Sequence, residues 1–120
     1  MKEENLIKEK SYKFALEIIE LYKFLNYELK EFVLGKQLLK SGTSIGANIE
    51  EAQAAQSKKD FLAKMSIASK EARETLYWLK LLDDSDYLEN YYNKDYLFAE
   101  INSIINILTK IVKTLTEEVK

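Results

Sequence analysis

The chain has 120 residues, no proline, three glycines and a formal net charge of −2. This length suits a single domain, residues 1–120, and the scarcity of proline and glycine removes the usual punctuation of strand-and-turn folds, so an all-α fold is predicted. Cysteine and histidine are both absent, which excludes disulfides, thiolate or histidine metal sites and histidine-assisted catalysis. We therefore predict a protein without enzymatic activity, cofactor or bound metal.

The N-terminal segment also limits the location of the protein. Residues 1–5 are charged, with no apolar signal region behind them, and no stretch approaches the roughly 18 apolar residues of a membrane span. Together with the lack of cysteine, this predicts a soluble protein of the reducing cytoplasm that does not contact a membrane.

The first predicted helix covers residues 4–26. Its core stripe repeats at spacings of three, four or seven, and a second apolar cluster of Tyr12, Leu16 and Ile19 lies on the opposite side. A lone four-helix bundle needs one stripe per helix, so this cluster is covered by another copy or a partner, or consists of scattered surface residues. We favour a homo-oligomer.

The second predicted helix runs from about residue 30 to 56, after a turn at 26–29. Gly35, Gly42 and Gly46 lie beside its core stripe. Because a glycine inside a helix costs about 1 kcal/mol relative to alanine, we expect a neighbouring helix to pass closer than a side chain would allow. A kink at Gly42 is the alternative.

The third helix is predicted to start at Ser57, whose hydroxyl can accept a hydrogen bond from the backbone N–H of Asp60 in a capping-box arrangement. Its apolar stripe ends at Leu82, before the polar run at 83–86. A connection follows, and its tyrosines are expected to pack over the end of the bundle: Tyr87, Tyr91 and Tyr92.

The fourth predicted helix runs from about Lys94 to Glu118. Beside its regular heptad it carries a second stripe, formed by Phe98, Ile105 and Val112. Four helices with mostly short connections predict an antiparallel up-down-up-down bundle. In that bundle the first and fourth helices are neighbours, so their extra stripes could together form the contact between copies.

The stretch SGTSIGANIEEA at 41–52 is followed by QSKKDF at 56–61 and by KEARETLYWLKLL at 70–82. In these segments, and over nearly its whole length, the chain resembles the four-helix-bundle family of bacterial 23S rRNA intervening-sequence proteins. Relatives include the accessory variability protein of diversity-generating retroelements, a pentameric bundle that engages nucleic acid and a reverse transcriptase. The resemblance implies a four-helix bundle, a pentamer, and RNA, DNA or a nucleic-acid-handling protein as partner.

Basic residues outnumber acidic ones from Ser57 to Leu82, although the whole chain is mildly acidic. With the family's rRNA-gene and retroelement associations, this predicts contacts with a nucleic-acid backbone; a solvated helix surface is the alternative. No aromatic platform is recognised among these residues, so backbone binding is favoured over sequence-specific recognition of a single strand. The candidates for phosphate contacts are Lys36, Lys40, Lys58, Lys59, Lys64, Lys70, Arg73 and Lys80.

Antiparallel pairing of the second and third helices brings two polar flanks together, with Ser41 opposite Arg73. We interpret this layer as a polar seam that fixes the helix register by internal hydrogen bonds, with a ligand or nucleic-acid site as the alternative. Arg73 is the only arginine, and its planar fork suits pairing with Glu50, Glu51 or a phosphate. The predicted seam comprises Ser41, Ser44, Asn48, Glu51, Glu71 and Glu74.

Two alternatives to nucleic-acid binding stay open. The first is a protein-interaction scaffold with no nucleic-acid affinity of its own, which the surplus apolar face favours. The second is a magnesium or manganese site built from carboxylates alone, since the ferritin-like pattern requires histidine. Its ligands would be Glu50, Glu51, Glu71 and Glu74.

Overall fold

The computed structural model describes residues 2–120, and within them it contains helices and no β-strand. This confirms the predicted all-α class. A π-helical segment, Phe24–Glu28, directly continues the first helix. The four α-helices are α1 (Lys2–Lys23), α2 (Leu34–Ala52), α3 (Lys58–Asp84) and α4 (Lys94–Glu118).

The helices form an antiparallel up-down-up-down bundle. Along α2 and α3, Ser41 contacts Thr75, and further towards the end of α2, Glu51 contacts Lys64 near the start of α3. The bundle measures 47 × 21 × 20 Å, which matches helices of about 30–40 Å lying side by side. The other neighbouring helices are antiparallel too. α1 and α2 are joined by Ile18 with Gly42 and by Lys8 with Glu50. α3 and α4 are joined by Lys58 with Glu118 and Lys94 with Asp83, and α1 and α4 by Lys10 with Glu100 and Lys110 with Glu3.

The core consists of apolar side chains spaced three or four residues apart on each helix. Phe14, Ile18 and Leu21 of α1 are fully buried, as are Leu79 of α3 and Leu108 of α4. Burying such a side chain contributes about 1.5–3 kcal/mol, so the stripes hold the bundle together. None of the helices in residues 2–120 combines the length and the apolar character needed to cross a bilayer.

α2 begins at Leu34, four residues later than predicted. Lys30 adopts a left-handed backbone φ of 57°, which separates α2 from the π-helical segment. The carboxylate of Glu31 then accepts hydrogen bonds from the backbone N–H groups of Val33, Leu34 and Gly35. These are donors that a helix start leaves unpaired, so a glutamate outside the helix determines where it begins. At the other end, α2 stops at Ala52 and not at residue 56.

The remaining boundaries lie close to the predicted ones. α1 ends at Lys23, and the π-helical segment carries the chain past the predicted end at residue 26. The cap of α3 is confirmed, since Ser57 Oγ accepts from the Asp60 N–H at 3.0 Å. α3 continues two residues beyond Leu82, and Asp86, at φ 69°, follows its end. The bounds of α4 agree with the prediction.

The three tyrosines of the α3–α4 connection differ in how deeply they are buried. Tyr91 is 6% exposed and packs against Phe24 with ring centroids 5.0 Å apart, and Tyr87 is half-buried against the core. Tyr92 is 83% exposed. Tyr92 packs against the ring of Tyr91 and not against the core, so it adds little cover to the bundle end.

The second stripe of α4 does not form an open surface. Ile105 is only 8% exposed, and Phe98 and Val112 are half-buried and packed against the core. Thr109, on the same side of α4, bonds to Arg73 of α3, so this stripe faces α3 of the same chain. Part of this stripe is thus already covered within one chain, because a helix in a bundle packs against two neighbours and buries more than one stripe. The role of the stripe as a contact between copies stays a prediction.

Candidate nucleic-acid interface

A basic, amide-rich surface covers the outer side of α3 and α4. Arg73 Nη2 donates to Thr109 Oγ1 at 2.9 Å, which marks where the two helices meet. Residues one or two turns from this contact share its side of each helix, and their side chains are all exposed. We call this surface the α3–α4 face: Lys70, Arg73, Tyr77 and Lys80 of α3, with Asn102, Asn106, Thr109 and Lys113 of α4.

The charge of the α3–α4 face is of one sign. α4 contains no acidic residue between Ile101 and Thr116. Lys70, Lys80 and Lys113 form no ion pair with any residue in the described range 2–120. Basic side chains without carboxylate partners create a positive potential that attracts anions.

Two acidic residues lie in the middle of α3, Glu71 and Glu74. Glu74 accepts a hydrogen bond from the Trp78 indole N–H at 3.0 Å. Burial raises the pKa of the Glu71 carboxyl, and the nearby Glu74 raises it further, while Lys40 of α2 opposes the shift. Glu74 lies one turn from both Lys70 and Tyr77, so its carboxylate, which accepts from the Trp78 N–H, borders the α3–α4 face.

Half of the predicted phosphate contacts share one side of α3. Lys70, Arg73 and Lys80 lie on the α3–α4 face, and Lys59 lies three turns before Lys70 on the same side. All four are exposed. Neutral residues, Ala63 and Ser66, separate Lys59 from Lys70 on this side of α3, so Lys59 stands apart from the α3–α4 face.

The other four predicted contacts lie elsewhere. Lys58 is paired with Glu118 at 3.0 Å. Lys64 is paired with Glu51 at 2.9 Å, and this hydrogen bond raises the pKa of the Lys64 ammonium. The structure does not bring the last two to the α3–α4 face, because both are on α2: Lys36 and Lys40.

The polar seam has a buried centre. Ser41 Oγ and Thr75 Oγ1 lie 3.0 Å apart, and both residues are fully buried. Thr75 Oγ1 also lies 2.7 Å from the carbonyl oxygen of Glu71. Thr75 was not predicted as part of the seam, although it falls at core spacing between Ala72 and Leu79. This pair is structural, because it joins α2 to α3 and is closed to solvent.

The outer part of the seam bonds mostly within its own helices. Ser44 Oγ donates to the Lys40 carbonyl at 2.6 Å, and Asn48 Nδ2 donates to the Ser44 carbonyl at 2.8 Å. Such bonds to the preceding turn satisfy the polar groups locally. The Glu51–Lys64 ion pair crosses from α2 to α3 in this part of the seam.

The predicted pairing of Arg73 with Glu50 or Glu51 is wrong. Arg73 is turned towards α4, Glu50 lies 3.7 Å from Lys8 of α1, and Glu51 bonds Lys64. Among residues 2–120, no three carboxylates come together as a possible metal site.

Tyr77 is the residue of α3 on this face that the sequence analysis did not assign. It is 55% exposed, and its ring packs against Trp78 with centroids 5.1 Å apart and planes at 71°. It lies four residues after Arg73 and three before Lys80, so the three share one side of α3. The helical period read on the side away from the core would have found it. An aromatic platform is thus present among the basic residues.

A shallow apolar groove runs along the outer side of α1 and α2. Tyr12 is 68% exposed and Leu16 is 49% exposed, while Ile19 is half-buried. These side chains border an open cavity of about 410 Å³ whose other wall includes Gly46 and Ala47 of α2. This groove contains the apolar cluster predicted for the first helix.

The fold and the α3–α4 face define a class of protein, a small antiparallel four-helix bundle with one basic outer surface. The family model for the 23S rRNA-intervening sequence protein matches residues 3–110, so the chain belongs to that family. It is similar to a solved protein of unknown function from the S23 ribosomal protein family of Bacteroides thetaiotaomicron, with 49% identity and a TM-score of 0.87 over 92% of this chain and 98% of that one. Among curated proteins, none matches the chain significantly.

Proposed function

We propose that this protein binds the phosphate backbone of RNA or DNA through the α3–α4 face, without catalysing a reaction. The observation that carries the proposal is the grouping of four exposed basic side chains on one surface, none of them in an ion pair within residues 2–120: Lys70, Arg73, Lys80 and Lys113.

Each component of this face suits phosphate. The Arg73 guanidinium presents a planar fork of donors that matches phosphate oxygens, and lysine ammonium groups act as point charges. Asn102 and Asn106 add neutral amide donors of the kind that position a backbone. Contacts of this type release counterions and carry no sequence information, so the proposed binding depends strongly on salt.

We further propose that the chain assembles into a homo-oligomer, and that the oligomer is the pentamer implied by the family resemblance. The support is the exposure of Tyr12 and Leu16 beside the apolar groove. Ring closure requires that one face of a subunit docks against a different face of the next. A ring would repeat the α3–α4 face in every subunit and multiply the phosphate contacts. The absence of cysteine fits the cytoplasmic location predicted from the sequence.

The test combines solution mass with binding. The mass is measured by light scattering, and the same species is titrated with mixed-sequence duplex DNA and with structured RNA at several salt concentrations. Four phosphate contacts on duplex DNA give a log–log salt slope of about −3 to −4 for each bound copy. Binding with such a slope supports the proposal, and a protein that binds neither nucleic acid at low salt contradicts it.

A protein-interaction scaffold is the second candidate function. The apolar groove favours it, because an exposed apolar patch of this kind is typical of a contact with protein. Under this alternative, one defined oligomer forms and ignores both DNA and RNA at low salt.

A further inference from the structure

We propose that Tyr77 is a stacking platform for an unpaired nucleobase, so that the ligand of the α3–α4 face is single-stranded nucleic acid. This inference rests on the proposed function, because the neighbouring basic side chains hold the strand while Tyr77 holds the base. The ligand is defined by its chemistry, a phosphodiester chain with an accessible base.

The surroundings of Tyr77 hold it in place and leave it accessible. Its ring packs nearly perpendicular to that of Trp78. Trp78 is half-buried against the core, and its indole N–H is bonded to Glu74. Tyr77 is therefore supported by the Trp78 ring on one side, while 55% of the residue stays exposed. A positioned, exposed ring is what base stacking requires.

The charges beside Tyr77 suit a strand that passes over it. Arg73 lies one turn before Tyr77 and Lys80 one turn after it, so the basic groups flank the ring over about 10 Å of helix. Glu74 is also one turn away, but its carboxylate is engaged by Trp78. Asp84, one turn beyond Lys80, bounds the basic surface at this end. Phosphates on either side of a stacked base would thus each meet a cation.

Four other tyrosines are exposed, and all lie outside the α3–α4 face: Tyr12, Tyr27, Tyr92 and Tyr96. Tyr12 borders a cavity together with Glu9 and Glu50, and Tyr96 lies 3.5 Å from the Glu100 carboxylate. Tyr92 packs against the buried Tyr91 at the bundle end. Of the five exposed tyrosines among residues 2–120, Tyr77 is the one on the α3–α4 face. Bases in a duplex are already stacked on one another, so a single aromatic platform favours unpaired strands, loops or ends.

The experiment compares the variants Tyr77→Leu and Tyr77→Phe with the wild-type protein. Tyr92→Leu is the matched control, because it removes an exposed tyrosine away from the α3–α4 face. The ligands are oligo(U) and oligo(dT) of about ten nucleotides, and a mixed-sequence duplex. Affinity is measured by anisotropy of labelled ligands. Trp78, the only tryptophan, reports local binding by its fluorescence because it contacts Tyr77.

We expect Tyr77→Leu to weaken single-strand binding about tenfold or more, the loss typical of one stacked base, and to leave duplex binding unchanged. Tyr77→Phe keeps the ring and the affinity, and Tyr92→Leu has no effect. Single strands quench Trp78 fluorescence in the wild type. Loss with oligo(U) alone assigns the site to RNA, and loss with oligo(dT) alone assigns it to DNA.

If Tyr77→Leu binds both single strands as tightly as the wild type does, the proposal of a stacking site is wrong. If that variant still binds the duplex with a steep salt dependence, backbone binding through the α3–α4 face stands without it. If the wild type binds no nucleic acid at all, the proposed function fails together with this inference.

Discussion

Gly42 of α2 lies so close to Ile18 of α1 that a Cβ atom at position 42 would stand 2.9 Å from Cγ2 and 3.0 Å from Cγ1 of Ile18. Ile18 is fully buried, and its branched Cβ allows few rotamers in a helix. The side chain therefore has no room to move away. Because glycine has no side chain beyond a hydrogen atom, α1 and α2 can pack at this close distance.

We expect Gly42→Ala to lower the free energy of unfolding by about 1 kcal/mol or more, because the cost of overpacking exceeds what alanine gains in helix propensity. Gly46→Ala is the matched control, since its Cβ would meet the Ser11 backbone oxygen at an ordinary 3.5 Å, and we expect it to be neutral or stabilising. Urea unfolding followed by circular dichroism measures both. Equal stability of the two variants would show that the approach at Gly42 leaves room for a methyl group.

The buried Ser41–Thr75 pair gives a second prediction. Thr75→Val keeps the shape of the side chain but removes the hydroxyl beside Ser41, and we expect it to lower stability by about 1–2 kcal/mol. Adding Ser41→Ala should recover part of this loss, because both polar groups are then gone. A double-mutant cycle measures the coupling. Strictly additive losses would show that the two hydroxyls do not interact.

A third prediction concerns the hydroxyl of Tyr91, which is buried and has no hydrogen-bond partner among residues 2–120. Removing such a group in Tyr91→Phe should raise stability by about 1 kcal/mol. Thermal and urea unfolding measure this change. A loss of stability would show that the hydroxyl makes a favourable interaction in the folded protein.

The same residue predicts a pH dependence. Burial, with smaller effects of Tyr92, Glu17 and Glu20, raises the pKa of Tyr91 from 10.0 to about 12. The folded protein holds the Tyr91 proton more tightly than the unfolded chain does. The free energy of unfolding is therefore highest below pH 10 with respect to this group, and it falls as the pH rises from 10 towards 12. Absorbance titration of the wild type should show a tyrosine with a pKa of about 12 that Tyr91→Phe lacks. An unchanged titration curve would contradict the assignment.

Much of the fold could be predicted from the sequence because each helix carries a periodic apolar stripe. α4 begins and ends at the predicted residues, where polar connections flank a regular heptad. The start of α2 could not be predicted, because it depends on the Glu31 carboxylate folding over three backbone N–H groups. That contact is a property of the turn and not of the helical period.

The candidate site was less predictable from the sequence. The helical period shows which residues share one side of a helix, but it does not show which neighbouring helix that side faces. The rotation of α3 in the bundle decides that Arg73 meets Thr109 of α4 and not the glutamates of α2. The same rotation groups Tyr77 with basic residues and brings in residues of α4 that the sequence left unassigned: Asn102, Asn106 and Lys113. Only docking of the helices defines the α3–α4 face.

The most direct test of the central proposal compares two triple charge reversals that change the net charge equally, from −2 to −8. One alters the α3–α4 face with Lys70→Glu, Lys80→Glu and Lys113→Glu. The other alters exposed lysines elsewhere, with Lys13→Glu, Lys30→Glu and Lys36→Glu. The measurement is the affinity for duplex DNA and for oligo(U) as a function of salt. We predict that the first variant binds more weakly than the wild type and reduces the log–log salt slope on the duplex by about 3, while the second keeps most of the slope. Equal losses in the two variants, or wild-type binding by the first, would contradict the account.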